Sequence, residues 1–127
     1  MRLLLDTSTL LWWLDDDKKL GPAARAAIAS PDNEVYVSAA SAWEISVKRA
    51  SGKLEAPFDV ADALERSFFI ELPIEVVHAM AAGELPPHHK DPFDRMLVAQ
   101  ARVEGLTLVA HDAGIARYDV ELLDAGV

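Results

Sequence analysis

Residues 2–14 read Arg2-Leu3-Leu4-Leu5-Asp6-Thr7-Ser8-Thr9-Leu10-Leu11-Trp12-Trp13-Leu14. The three leucines make a run too short for a helix, so it reads as a buried strand that ends at Asp6. Residues 8–14 read as a helix, and Asp15-Asp16-Asp17 stop it. The same strand-to-helix handover recurs outward from here. Residues 34–38, Glu34-Val35-Tyr36-Val37-Ser38, are β-branched and aromatic, and a helix over 41–49 follows before Ser51-Gly52. Residues 106–110, Leu106-Thr107-Leu108-Val109-Ala110, make another buried strand, followed by His111-Asp112 and a short helix over 113–118.

The intervening chain fits the same alternation. Gly21-Pro22 opens an alanine-rich helix that runs to about residue 30, with Pro22 at its first position. Pro31-Asp32-Asn33 is a turn. Asp59 caps a helix over 60–68, residues 69–72 are a short strand, and a helix over 74–82 is stopped by Gly83. Residues 85–92 form a loop with three prolines, and a strong helix over 93–104 is closed by Gly105. Residues 120–123 are the last candidate strand. Strands separated by helices predict a parallel sheet covered on both faces, with the ligand site beyond the carboxyl ends of the strands.

The 127 residues fit one domain, 1–127, without repeats or linkers. The chain has no cysteine, which excludes a disulfide scaffold, a thiolate metal site and a thiol nucleophile. No apolar run reaches the ~18 residues that span a bilayer, and the N-terminus turns polar too soon for a signal-peptide core. A cytoplasmic protein without membrane contact is the expectation. With 21 acids against 12 Lys and Arg, the net charge is −9, which argues against holding DNA on a broad basic face. It leaves open a nuclease whose acids gather around metal ions.

Five acids stand where strands hand over to helices or in a helix's first turn: Asp6, Glu44, Asp91, Asp94 and Asp112. Each also fits a local role. Asp6, Asp91 and Asp112 are natural N-caps, Asp94 is a favourable first-turn acid, and Ser41 with Glu44 fits a capping box. In a parallel sheet, however, those places share one edge. Carboxylates converging there repel one another unless a cation intervenes, and oxygen ligands without cysteine suit Mg²⁺ or Mn²⁺. Such a centre binds phosphates and activates water for attack on phosphorus.

Four stretches together resemble the PIN domain, most closely VapC-type toxin ribonucleases of type II toxin–antitoxin systems. They are Leu3-Leu4-Leu5-Asp6-Thr7 with Leu11-Trp12-Trp13-Leu14; Val37-Ser38-Ala39-Ala40-Ser41-Ala42-Trp43-Glu44-Ile45; His88-His89-Lys90-Asp91-Pro92-Phe93-Asp94-Arg95-Met96-Leu97-Val98-Ala99-Gln100-Ala101; and Leu106-Thr107-Leu108-Val109 before Asp112. The resemblance covers nearly the whole chain. It implies a three-layer α/β/α fold with a mostly parallel central sheet and a metal-dependent endoribonuclease that leaves a 5′-phosphate and a 3′-hydroxyl. It places the family's acids on Asp6, Glu44, Asp94 and Asp112, with Asp91 the second choice for the third position. It further implies a homodimer and a VapB-type antitoxin partner. Ser8 and His111 depart from residues often found in such relatives, at positions that are not metal ligands in the family.

Other residues have secondary readings. Thr7, Ser38 and Ser41 cap the site helices or bond a metal water. Lys48, Arg49, Lys53 and Arg95 are candidates for a rim that holds RNA, or are solvated helix-face charges. His88 and His89, adjacent in a proline-rich loop, read as surface residues, and His111 as a phosphate contact or a hydrogen-bonded imidazole. Leu10, Leu11, Trp12, Trp13 and Leu14 are apolar all round their helix, which predicts core on one side and a partner on the other for one of Trp12 and Trp13. Two rival functions are weaker. A haloacid-dehalogenase-like phosphatase needs a second Asp where Ser8 stands. A receiver-type signalling domain needs a phosphoacceptor Asp, absent from residues 51–58, and a late Lys, absent after Lys90.

Overall fold

The computed structural model describes residues 1–57 and 59–127; Phe58, the last of the residues 51–58 that lack a phosphoacceptor Asp, lies outside the described residues. Five strands form one sheet: β1 (Arg2–Leu5), β2 (Glu34–Ser38), β3 (Ile70–Leu72), β4 (Thr107–Ala110) and β5 (Leu122–Asp124), in the order β3-β2-β1-β4-β5. Every pairing is parallel, so the sheet is wholly rather than mostly parallel. Six α-helices connect the strands among the described residues: α1 (Thr7–Leu14), α2 (Pro22–Ala29), α3 (Ala39–Ala50), α4 (Val60–Arg66), α5 (Val76–Glu84) and α6 (Pro92–Glu104). A 3-10 turn at Ile115–Arg117 stands where a short helix was expected.

β1 is central, and its alternating side chains feed two separate cores. Leu4 joins Leu108, Leu97, Val98 and Ile115 on one face; Leu3 and Leu5 join Val35, Val37, Leu10 and Ile45 on the other. Leu5 pairs with Val37 on one side and Val109 on the other. All three leucines of β1 are fully buried, and its one polar residue, Arg2, stands exposed at the strand's start. Burial of each contributes roughly 1.5–3 kcal/mol.

The strand order reverses at β1. From it the chain builds outward through β2 and β3 in one direction and β4 and β5 in the other. The gap between β1 and β4 is therefore the switch point at whose carboxyl edge a parallel sheet binds ligands. A receiver-type domain runs 2-1-3-4-5, so this topology excludes that rival.

Local expectations shift at several helix ends. α3 starts at Ala39 because Ser38, not Ser41, is its N-cap; the Ser38 hydroxyl accepts from Ala40 N–H. The Ser41–Glu44 capping box therefore does not form, and both side chains meet Thr7 instead. α5 runs through Gly83 to Glu84 and ends only before Pro86-Pro87, because a helical glycine weakens a helix without stopping it, whereas proline does. α6 is bounded as expected, by Asp91 at its N-cap and by Gly105 at φ 67°. Trp12 and Trp13 are half-buried against the Leu3–Leu5 core, Trp13 lying 5.9 Å from the Phe69 ring. Among the described residues, no helix is long and apolar enough to cross a membrane.

Candidate metal centre

Asp6 leaves the end of β1 as the N-cap of α1. Its Oδ1 accepts from Thr9 N–H at 2.8 Å, and its own N–H donates to Val109 O on β4 at 3.1 Å. The residue is 4% exposed. Burial pushes its carboxyl up to about 6, and the charges of Asp112 and Glu44 add to the rise, against the lowering hydrogen bonds from Thr9. Asp6, Asp112 and Glu44 thus share one electrostatic neighbourhood, although they stand far apart in the sequence.

Glu44, 5% exposed, projects from α3. Thr7 Oγ1 donates to its Oε1 at 2.7 Å, and the Ser41 hydroxyl lies 3.0 Å from the same Thr7 oxygen. Lys48, one turn further on, donates to Oε2. Bonding to Glu44 holds the Lys48 ammonium above its ordinary range, and the charges of Asp91 and Asp94 reinforce this. Lys48 is therefore a built-in counter-charge within the site rather than part of an outer rim. The i,i+4 spacing was the available signal.

Asp91 and Asp94 sit at the start of α6. Asp91 Oδ1 accepts from Phe93 N–H (2.8 Å) and Asp94 N–H (3.3 Å), so one face of this carboxylate is committed to the cap. Asp94 faces the other acids. Burial first, then the charges of Asp91, Asp6 and Asp112, push its carboxyl up to about 7; His89 opposes the rise. Asp112 follows β4 by two residues, and its Oδ1 accepts from Ile115 N–H at 3.0 Å. Ligand atoms of His89, Asp94 and Asp112 all lie within 4.8 Å of one another.

His89 is the residue that the sequence reading misplaced. It turns inward, with Nε2 3.0 Å from Asp94 Oδ2 and 3.5 Å from Asp112 Oδ1. The loop over residues 85–91 is tied down rather than left free at the surface. Arg95 fixes it. Its guanidinium donates to the carbonyls of Ala82, Leu85, Pro86 and His89 and to the Tyr118 hydroxyl, which makes it a clamp on the loop and removes it from the RNA rim. His111 is exposed and bonds Asp124 at 2.8 Å instead of turning to the acids. Lys53 is exposed at the end of α3.

The donor set suits a hard divalent cation. It is carboxylate oxygen without sulfur, and two acids are pushed up by burial and by the charges of the acids beside them. A second cluster, Glu75, His78 and Glu104, does not suit one. His78 Nδ1 accepts from Glu75 N–H at 3.0 Å, so Nε2 carries the proton and meets Glu104 at 2.9 Å as a donor. A cavity of about 680 Å³ is lined by Leu85, Pro86, His88, Arg102, Arg117 and Tyr118, among others, and by none of the five acids.

The family model for the PIN domain matches residues 3–121, and the chain belongs to that family. Three solved structures share the fold. The crystal structure of VapBC2 from Rickettsia felis bound to a promoter DNA fragment superposes with a TM-score of 0.72 at 16% identity, covering 97% of this chain and 98% of that one. A toxin–antitoxin complex from Klebsiella pneumoniae gives 0.67 at 17% identity, with 97% of each chain covered. FitAcB from Neisseria gonorrhoeae gives 0.60 at 18% identity, again with 97% of each chain covered. A comparison with curated proteins found no match.

Proposed function

We propose that the protein is a metal-dependent endoribonuclease and the toxin of a type II toxin–antitoxin pair. One observation carries the reading. Asp6 at the end of β1, Glu44 from α3, Asp94 from α6 and Asp112 beyond β4 meet electrostatically at the switch point of the sheet, an excess of negative charge that a divalent cation would offset. PIN domains are typically nucleases, and the similar folds include chains from toxin–antitoxin complexes, which supports the toxin reading.

Asp6, Asp94 and Asp112 would hold one or two Mg²⁺ or Mn²⁺ ions, with Glu44 as a further ligand or as the acceptor that orients a bound water. The bound cation supplies an acidified water and charge neutralisation at the phosphoryl group. The protein's own groups set the geometry for this. The Asp6 carboxylate is fixed by the α1 cap, and Asp94 by the first turn of α6. Thr7 and Lys48 hold Glu44 from both of its oxygens. Water oxygen attacks phosphorus, the P–O3′ bond breaks, and the leaving oxygen takes a proton, which yields a 5′-phosphate and a 3′-hydroxyl. Lys48 gives the only charge-assisted hydrogen bond from a lysine or arginine to these acids among the described residues, so the site binds RNA chiefly through its cation rather than a basic face.

The same acidic edge fits a basic side chain of a VapB-type antitoxin, which would compete with the cation for the carboxylates. A homodimer completes the proposed assembly. The test is cleavage of single-stranded RNA by the purified protein with and without EDTA. Mg²⁺- or Mn²⁺-dependent cleavage that is lost in both Asp6→Asn and Asp94→Asn is the expected result. Unchanged cleavage in both variants would remove the reading.

A further inference from the structure

Resting on the metal-centre reading, we propose that His89 is a positioning residue whose Nε2–H is shared between Asp94 and Asp112 and sets the gap between them. The two acids come from different elements, α6 and the end of β4, and no backbone bond ties one to the other. His89 Nε2 reaches both, at 3.0 Å from Asp94 Oδ2 and 3.5 Å from Asp112 Oδ1. It is buried and completes a well-formed hydrogen bond with neither. A donor held between two acceptors in this way draws both inward and belongs to neither.

The proton's position follows from the other ring nitrogen. Nδ1 accepts from Asp91 N–H at 3.3 Å, which leaves the proton of the neutral ring on Nε2. His89 is therefore a donor toward the carboxylates and not a nitrogen ligand. A neutral donor offsets carboxylate repulsion without adding a charge that a metal ion must overcome. Ligating carboxylates need such outer partners to hold their orientation.

The surroundings are built to keep the ring there. His89 N–H donates to the Tyr118 hydroxyl at 3.0 Å, that hydroxyl donates to Pro86 O at 2.8 Å, and Arg95 Nη1 donates to His89 O at 3.4 Å. Gly114 supplies the space. A Cβ at this position would stand 2.8 Å from His89 Cδ2, too close to hold without a shift, and 3.1 Å from Asp112 Oδ1, a tight contact. Any side chain at residue 114 therefore moves the imidazole, the carboxylate or both.

The experiment measures Mn²⁺ affinity of the purified full chain by isothermal titration calorimetry, with metal-free melting temperature recorded in parallel. His89→Ala is expected to weaken Mn²⁺ binding ~10–100-fold. His89→Gln, which retains a donor, should recover most of that loss, and Gly114→Ala should resemble His89→Ala. If His89→Ala melts lower yet binds Mn²⁺ like the parent protein, the residue only packs the loop and the proposal is overturned. Pulsed EPR of the Mn²⁺ complex that detects directly bonded imidazole nitrogen would overturn it in the other direction, making His89 a ligand. Asp94→Asn separates this inference from its foundation. Undiminished Mn²⁺ binding by that variant sinks the metal centre and the inference with it, whereas lost binding there beside parental binding in His89→Ala sinks the inference alone.

Discussion

Asp6 carries two demands that oppose each other. Its carboxylate is a good helix cap, and its charge is buried among other acids. Asparagine keeps the cap, because Asn and Asp are equivalent there, and removes the charge. Asp6→Asn should therefore abolish RNA cleavage while raising the metal-free melting temperature by several degrees at pH 8. The burial penalty it relieves is of order 3 kcal/mol. The sign follows from linkage. The folded carboxyl titrates near 6 against an ordinary value of 3.8, so the folded state binds more protons between those values. The favourable contribution is complete below about pH 4 and is lost as pH rises through 6, and Asp94, pushed up to about 7, extends the loss to that pH. Melting scans of the metal-free protein from pH 4 to 8 should show a decline that is shallower in Asp6→Asn and in Asp94→Asn. An equal decline in parent and variants would contradict the assignment of these two groups.

At the scale of elements, polar side chains fix how the helices meet the sheet. The Gln100 amide on α6 accepts from the Ser38 hydroxyl at 2.6 Å and donates to Pro73 O at 3.2 Å, which joins the β2–α3 junction to the β3–α5 connection. Gln100→Leu would keep the volume and strand both partners, at a cost of about 2–4 kcal/mol by urea denaturation. Arg95→Lys should act differently. Lysine keeps the charge but not the planar fork that serves several carbonyls at once. Faster amide exchange confined to residues 85–91, with global stability little changed, is the expected outcome, together with weaker Mn²⁺ binding through the displaced His89. In the core, Leu4→Ala should cost about 2–5 kcal/mol, because Leu4 is fully buried in the centre of the sheet.

For the whole molecule, the acids make the metal-free protein the less stable form. A ligand that binds only the folded state stabilises it by RT ln(1 + [L]/Kd), so Mg²⁺ or Mn²⁺ should raise the melting temperature in proportion to the logarithm of its concentration, and EDTA should reverse the effect. Near pH 6.5 part of the Asp6 and Asp94 population is protonated, and metal binding must displace those protons. The calorimetric enthalpy of binding should therefore depend on the buffer's ionisation heat at pH 6.5 and much less at pH 8.5. The net charge of −9 adds a long-range contribution, repelling RNA until cations bind.

The order of strands and helices, the buried β1 and the places of the five acids were legible in the sequence, because strand length, prolines, glycines and N-caps act over a few residues. Local rules also supplied a specific error: Ser41 resembles a cap as well as Ser38 does, yet in the fold Ser38 caps the helix and Ser41 meets Thr7. What the tertiary structure decided was every relation between distant segments. The crossing of β1 beside β4 brings Asp6 near Asp112, the packing of α5 on α6 gives Arg95 its carbonyls, and the resulting turn aims His89 at two acids. A side chain's direction in a loop depends on which remote groups hold the backbone, and those groups are neighbours only after the chain has folded.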